Sequence, residues 1–130
     1  MKPLIIISWI CRLIAAVIML QTLYFKFSAA EESVYIFTKV GIEPWGRIGT
    51  GIAELIASVL ILIPKTTVYG AIVALGIMAG ALATHIFLLG IVVMNDGGQL
   101  FIYGLLVFIA SLVLIIINRK QLLQLLPFKK

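Results

Sequence analysis

The stretch CRLIAAVIMLQTLYFKF, residues 11–27, decides how the chain is read. It is apolar enough for the hydrocarbon of a bilayer, yet it contains Arg12, Gln21 and Lys26. Together with the apolar residues before it, it exceeds the roughly 20 residues that cross a bilayer as a helix. The whole chain has the same character: 130 residues, 63% hydrophobic, 12% charged, with mean hydropathy +1.23. Soluble domains are about half apolar and a quarter charged, so this composition belongs to an integral membrane protein.

Working outward, four spans are expected, at about 4–26, 47–63, 68–93 and 98–117. PKTT at 64–67 breaks the chain with Pro64, and NDGG at 95–98 is a turn-forming cluster. Connections this short force antiparallel neighbours. The expected fold is all-α: a single integral-membrane four-helix bundle over residues 1–130. The third span is long for a bilayer and is expected to tilt.

Residues 28–46 leave room for a short interfacial helix at about 29–40. SAAE at 28–31 reads as a capping box with Ser28 as N-cap, and Gly41 as the residue that ends the helix. Val34, Ile36, Phe37 and Val40 beside Glu31, Glu32 and Lys39 make that segment amphipathic. Trp45, in EPW, is the expected interfacial anchor. The tail KQLLQLLPFKK, 120–130, reads as a second interfacial piece. Lys2 followed by LIIISWIC has the outline of an export signal, but the apolar run continues past Arg12, so the segment is expected to be retained as a helix.

With four spans, Lys2, Lys65, Arg119, Lys120, Lys129 and Lys130 fall on one side. The positive-inside rule then puts both termini in the cytoplasm, N-in and C-in, in a bacterial cytoplasmic (inner) membrane. The net charge of +5 sets topology and does not indicate nucleic acid. Cys11 is the one cysteine, which excludes internal disulfide and vicinal-dithiol chemistry. No nucleophile–base–acid set and no metal-ligand cluster is present. GTG at 49–51 opens a membrane helix and is no phosphate loop. No catalytic or metal residue is assigned.

The polar residues inside the spans carry the remaining information. An isolated charge in a span costs at least ~2.5–3.5 kcal/mol, so a partner is expected. Counted from the ends of their apolar runs, Arg12 and Glu54 reach nearly the same depth, which suggests an interhelical salt bridge between them. At 100° per residue Arg12 shares a face with Ala15, Ala16, Met19, Leu23 and Lys26. Glu54 shares one with Arg47, Thr50, Gly51, Ala57 and Ser58. These small and polar faces are expected to turn into the bundle. Lys26 and Arg47, near span ends, have a plain reading as cations that snorkel to the headgroups. His85 lies on a third span that is small-residued on both sides, with Gly70, Ala71, Ala74, Met78 and Ala81 on one and Gly76, Ala79, Gly80 and Ala83 on the other. That helix is expected to be the most enclosed. A lone histidine there is ordinarily a hydrogen-bonding residue and not a ligand. Arg12, Glu54, His85 and Lys26 together form the candidate buried polar cluster.

Arg12 with YFKF at 24–27, the span GTGIAELIASVLILIP at 49–64 with its glutamate, and the third span ending at ATHIF, 83–87, resemble the DoxX and DoxX-like family over most of residues 11–95. The matching residues are Arg12, Lys26, Glu54 and His85. The resemblance implies a small four-helix membrane protein. Some members are associated with oxidoreductases: a thiosulfate:quinone oxidoreductase subunit, a methylamine-utilisation accessory protein and a mycobacterial membrane oxidoreductase complex. It therefore implies an accessory or anchoring subunit with no activity alone, whose partner is another membrane or membrane-associated protein and which meets quinone through that partner. Two other readings stand beside it. Arg12, Glu54 and His85 could line the polar cavity of a small-molecule binder or transporter, or His85 and Glu54 could serve a quinone-reactive subunit as proton donors.

Overall fold

The computed structural model describes residues 2–92 and 97–120. Four helices among them are long and apolar enough to cross a membrane, and no described residue is in a strand. They are α1 (Lys2–Phe27), α3 (Trp45–Leu62), α4 (Thr67–Thr84) and α5 (Gln99–Ile117), with a short α2 (Glu31–Val40) between the first two. A single 3₁₀ turn, Pro64–Thr66, leads into α4, and a π-helical turn, His85–Leu89, continues it. The third span thus ends at Leu89, short of the expected 93, where Gly90 takes φ +84° and leaves helical geometry. Asn95 and Asp96 of the expected turn, residue 93 and the tail 121–130 lie outside the described residues.

Each spanning helix packs on two others in the ring α1–α3–α4–α5. The α2 side of this bundle is called the loop side here, and the opposite end the terminal side. Ala15, Met19, Ala57, Ile61, Ala71, Ala74, Val107, Ala110 and Leu114 fill the centre, all nearly or fully buried. Leucines and isoleucines cover the outside. In lipid, apolar side chains gain little by leaving the exterior, so association rests on close van der Waals contact between small-residue faces. Gly70 of α4 lies directly against the α3 backbone at Ala57 and Ile61.

Two expectations are corrected. α4 is not the most enclosed span: six of its 18 residues are buried, against seven of 18 in α3. Gly70, Ala71, Ala74, Met78 and His85 do face inward, but Gly76, Ala79, Gly80 and Ala83 are exposed. A helix small on every side gives no direction, and only one of its faces found neighbours. The capping box at 28–31 does not form either. The Ser28 N–H bonds the Tyr24 carbonyl and finishes α1, while Ala30 is the N-cap of α2, with no side-chain hydrogen bond. The other end of α2 is as expected. Gly41 adopts the left-handed conformation (φ 92°, ψ 17°), and the N–H groups of Gly41 and Ile42 return to the carbonyls of Thr38 and Phe37. This is the Schellman pattern, which glycine enters without a Cβ penalty.

Candidate functional site

Arg47 sets the register between α1 and α3. Its Nε donates to both carboxylate oxygens of Glu43, at 3.0 and 3.1 Å, and its Nη1 donates to the Lys26 carbonyl. The loop-side ends of two antiparallel helices are thereby held level. Glu54 is seven residues below Arg47, about 10 Å at the helical rise, which is level with Met19 on α1. Side chains on a helix lean toward its N-terminus, so Lys26 on α1 leans into the bundle while Glu54 on α3 leans up toward the loop side. They meet: Lys26 Nζ lies 3.1 Å from Glu54 Oε1, with side-chain exposures of 15% and 4%. The ammonium supplies the buried carboxylate's counter-charge at hydrogen-bonding distance. The Glu54 backbone is held in turn by Ser58, whose Oγ donates 2.8 Å to the Glu54 carbonyl.

The expected Arg12–Glu54 salt bridge is therefore not formed; Glu54 belongs to Lys26. Arg12 lies seven residues below Met19, another ~10 Å toward the terminal side, and it leans the same way. Its guanidinium carbon sits 4.3 Å over the Trp9 ring. Both charges do turn inward, as their faces indicated: Arg12 and Glu54 are buried, as are Ala15, Ala16, Met19, Leu23, Gly51, Ala57 and Ser58. Gln21 is exposed on the periphery.

The Lys26–Glu54 pair borders a cavity of about 590 Å³ in the loop-side half of the bundle. Its polar lining includes Thr22, Ser33, Thr50, Tyr103 and His85; Met19, Ile77, Met78 and Leu100 supply apolar wall. α2 bounds the loop side through Ser33, Ile36, Phe37 and Val40, because its amphipathic face turns down onto the bundle. Trp45 stands exposed at the start of α3 and also borders the cavity. Ser33 and Tyr103 were not singled out in the sequence. Ser33 is one polar position on an amphipathic helix, and Tyr103 a ring in an apolar span, so neither carries a distinguishing signal.

His85 is buried at the start of the π turn. Its Nδ1 lies 3.1 Å from the Gly90 carbonyl and its ring meets Phe101 edge-on, with centroids 5.7 Å apart. A carbonyl only accepts, so Nδ1 carries the hydrogen and Nε2 is the ring's basic atom. A π turn shifts the side chains that follow it and is often found at functional sites. Here it brings the Gly90 carbonyl back onto the ring. The structure thus gathers Lys26, Glu54 and His85 around one cavity and leaves Arg12 outside it. Among the described residues no three His, Cys, Asp or Glu side chains converge in a way that would hold a metal ion.

Searches of curated proteins and of solved structures each return no match. A family model described as the DoxX-like family matches residues 10–114. That interval takes in Arg12, Lys26, Glu54 and His85, all four spanning helices and the cavity between them, and the chain belongs to the DoxX-like family.

Proposed function

We propose that this membrane protein binds a small amphipathic molecule in the loop-side cavity, its polar end at Lys26, Glu54 and His85 and its body along the apolar wall. One observation carries the reading: a buried ion pair borders a cavity of about 590 Å³. Ligand sites typically occupy about 300–1,000 Å³, with mostly apolar walls and a few placed polar groups. Ionisable groups inside a membrane bundle are costly and commonly mark a ligand or ion path. A quinone suits such a lining, with an apolar tail and carbonyl oxygens that accept hydrogen bonds from Lys26 or Tyr103. Protein purified in mild detergent should carry a non-phospholipid amphiphile, identified by mass spectrometry of the organic extract. The Lys26→Leu/Glu54→Leu double variant should lose it. Recovery of bulk phospholipid alone, unchanged in the double variant, would overturn the reading.

The second reading is the accessory or anchoring subunit of a membrane oxidoreductase system, with quinone met through the partner. It is favoured by the exposed Gly76 and Gly80 of α4, four residues apart at the open edge of the cavity, where an added β-carbon would touch nothing within 4 Å. Such spacing lets a second membrane helix approach closely.

For orientation we propose cytoplasmic termini in a bacterial inner membrane, from the cations flanking the spans on the terminal side. In a Cys11→Ser background, a cysteine at exposed Glu31 should react with an impermeant thiol reagent in intact cells. One at Lys65 should react only after permeabilisation. The reverse pattern would invert the orientation and the side from which the cavity is reached.

A further inference from the structure

Arg12 is 7% exposed, and among the described residues its Nε and Nη1 find no hydrogen-bond partner. Ser8, one turn earlier on α1 and 5% exposed, has an equally unpartnered Oγ. Both border a small pocket of about 200 Å³, together with Leu4, Trp9, Ile117 and Asn118. Two donor-bearing side chains with nothing to donate to are thus held side by side, and the stack on Trp9 fixes the guanidinium there.

Among the described residues no carboxylate side chain borders this pocket. Its five acidic residues are Glu31, Glu32, Glu43, Glu54 and Asp96. Glu54 is taken by Lys26 and Glu43 by Arg47, Glu31 and Glu32 lie on α2, and Asp96 lies outside the described residues. Hence no described acidic side chain is available on the terminal side. A buried guanidinium is costly to leave unpaired, so a counter-charge beyond the described side chains is called for. The C-terminal carbonyls of α5 offer partial negative charge nearby, but no hydrogen bond from Arg12 reaches them.

The level of the pocket identifies the anion. α5 has 19 residues, about 28 Å at the helical rise, close to the roughly 30 Å hydrocarbon thickness of a bilayer. It ends at Ile117 with Asn118 as its C-cap, and both residues border the pocket. The Arg12 guanidinium therefore lies where acyl chains give way to phosphates. We infer that Arg12 and Ser8 form an oxyanion site on the terminal side, which takes a phosphate group. Arg12 supplies charge and N–H donors, and Ser8 a hydroxyl donor. A lipid phosphodiester and a free phosphate ion share this chemistry, and binding separates them.

The full-length protein in a neutral detergent is titrated with phosphatidylglycerol, with diacylglycerol (the same chains without phosphate) and with inorganic phosphate. Bound ligand is counted by native mass spectrometry, and affinity is read from thermal shift. Wild type should bind phosphatidylglycerol saturably and diacylglycerol only weakly. Losing a charge-assisted hydrogen bond typically costs about tenfold or more, and Arg12→Gln should weaken binding by that factor. Arg119→Gln, which changes an exposed cation on the same side, should leave it unchanged. Displacement by millimolar inorganic phosphate identifies the free ion as the natural occupant, and resistance to it identifies the headgroup. Equal binding of both lipids by wild type, with no phosphate effect, would overturn the inference. So would an Arg12→Gln protein that binds like wild type, or an Arg119→Gln protein that loses as much. If Arg12→Gln does not accumulate, the wild-type lipid comparison and a Ser8→Val variant decide the matter.

Discussion

Lys26→Leu is expected to be among the most damaging single substitutions in this protein. It leaves the Glu54 side chain, 4% exposed, without its counter-charge. Removing one partner of a buried ion pair typically costs ~3–5 kcal/mol. For a chain of this size that means a fall in thermal midpoint on the order of 10 °C, or loss of accumulation in the membrane. The reverse change, Glu54→Leu, should cost less. Lys26 sits one residue from the end of α1 on a long flexible stem, and its ammonium can turn to the loop-side headgroups. Lys26→Leu/Glu54→Leu should recover most of the loss, because no charge is then stranded. Thermal unfolding in detergent, followed by fluorescence size-exclusion, reads all three. Equal, small effects in both single variants would show that the pair is solvated and contributes little.

The second large effect is expected at Gly70. A β-carbon there would lie 2.6 Å from the Ile61 amide nitrogen and 2.7 Å from the Ala57 carbonyl oxygen, both backbone atoms of α3. Neither can rotate away, so the helices must separate along the contact that closes α3 onto α4. Overpacking of this kind costs about 1–3 kcal/mol for a small addition, and more for a large one. Gly70→Ala should therefore lower the thermal midpoint by several degrees, and Gly70→Leu should prevent assembly. Gly76→Ala and Gly80→Ala, on the exposed cavity-bordering face of the same helix, serve as packing controls. They should be neutral or slightly stabilising, since alanine favours the helix and meets no neighbour. A matched loss at Gly76 or Gly80 would mean that this face is occupied, by the cavity's ligand or by a partner helix.

Hydropathy carries far in this chain because a bilayer asks so much of a sequence: long apolar runs, broken by Pro64 and by the glycines before α5, can do little except cross it as helices. The inward faces of α1 and α3 were legible for a related reason. A charge flanked at helical spacing by alanine and glycine marks a close-packed stripe, as Arg12 with Ala15 and Ala16 and Glu54 with Gly51 and Ala57 show. Register between helices was not legible. α1 is 26 residues long, about 39 Å, and α3 is 18 residues, about 27 Å, so depths counted from their ends can slide by two turns. What removes that slack is Arg47 gripping the Lys26 carbonyl, a side-chain to backbone contact across 21 residues that no pattern announces. Lys26, read plainly as a snorkelling cation, is consequently the partner of Glu54. His85 could be placed on its helix face, but the π turn that brings Gly90 onto its ring leaves no signature in HIFLLG beyond the glycine.

The central claim is that the buried carboxylate belongs to Lys26 and that Arg12 stands apart at the terminal side. Paired double-mutant cycles test it most directly, with stability measured for Lys26→Leu, Arg12→Leu and Glu54→Leu and for the combinations with Glu54→Leu. Contacting residues couple by about 0.5–3 kcal/mol, whereas residues more than about 7–10 Å apart add to within a few tenths. The Lys26/Glu54 cycle should show strong coupling and the Arg12/Glu54 cycle simple additivity. Strong coupling between Arg12 and Glu54, with additivity between Lys26 and Glu54, would contradict the register of α1 on α3 and the cavity that follows from it.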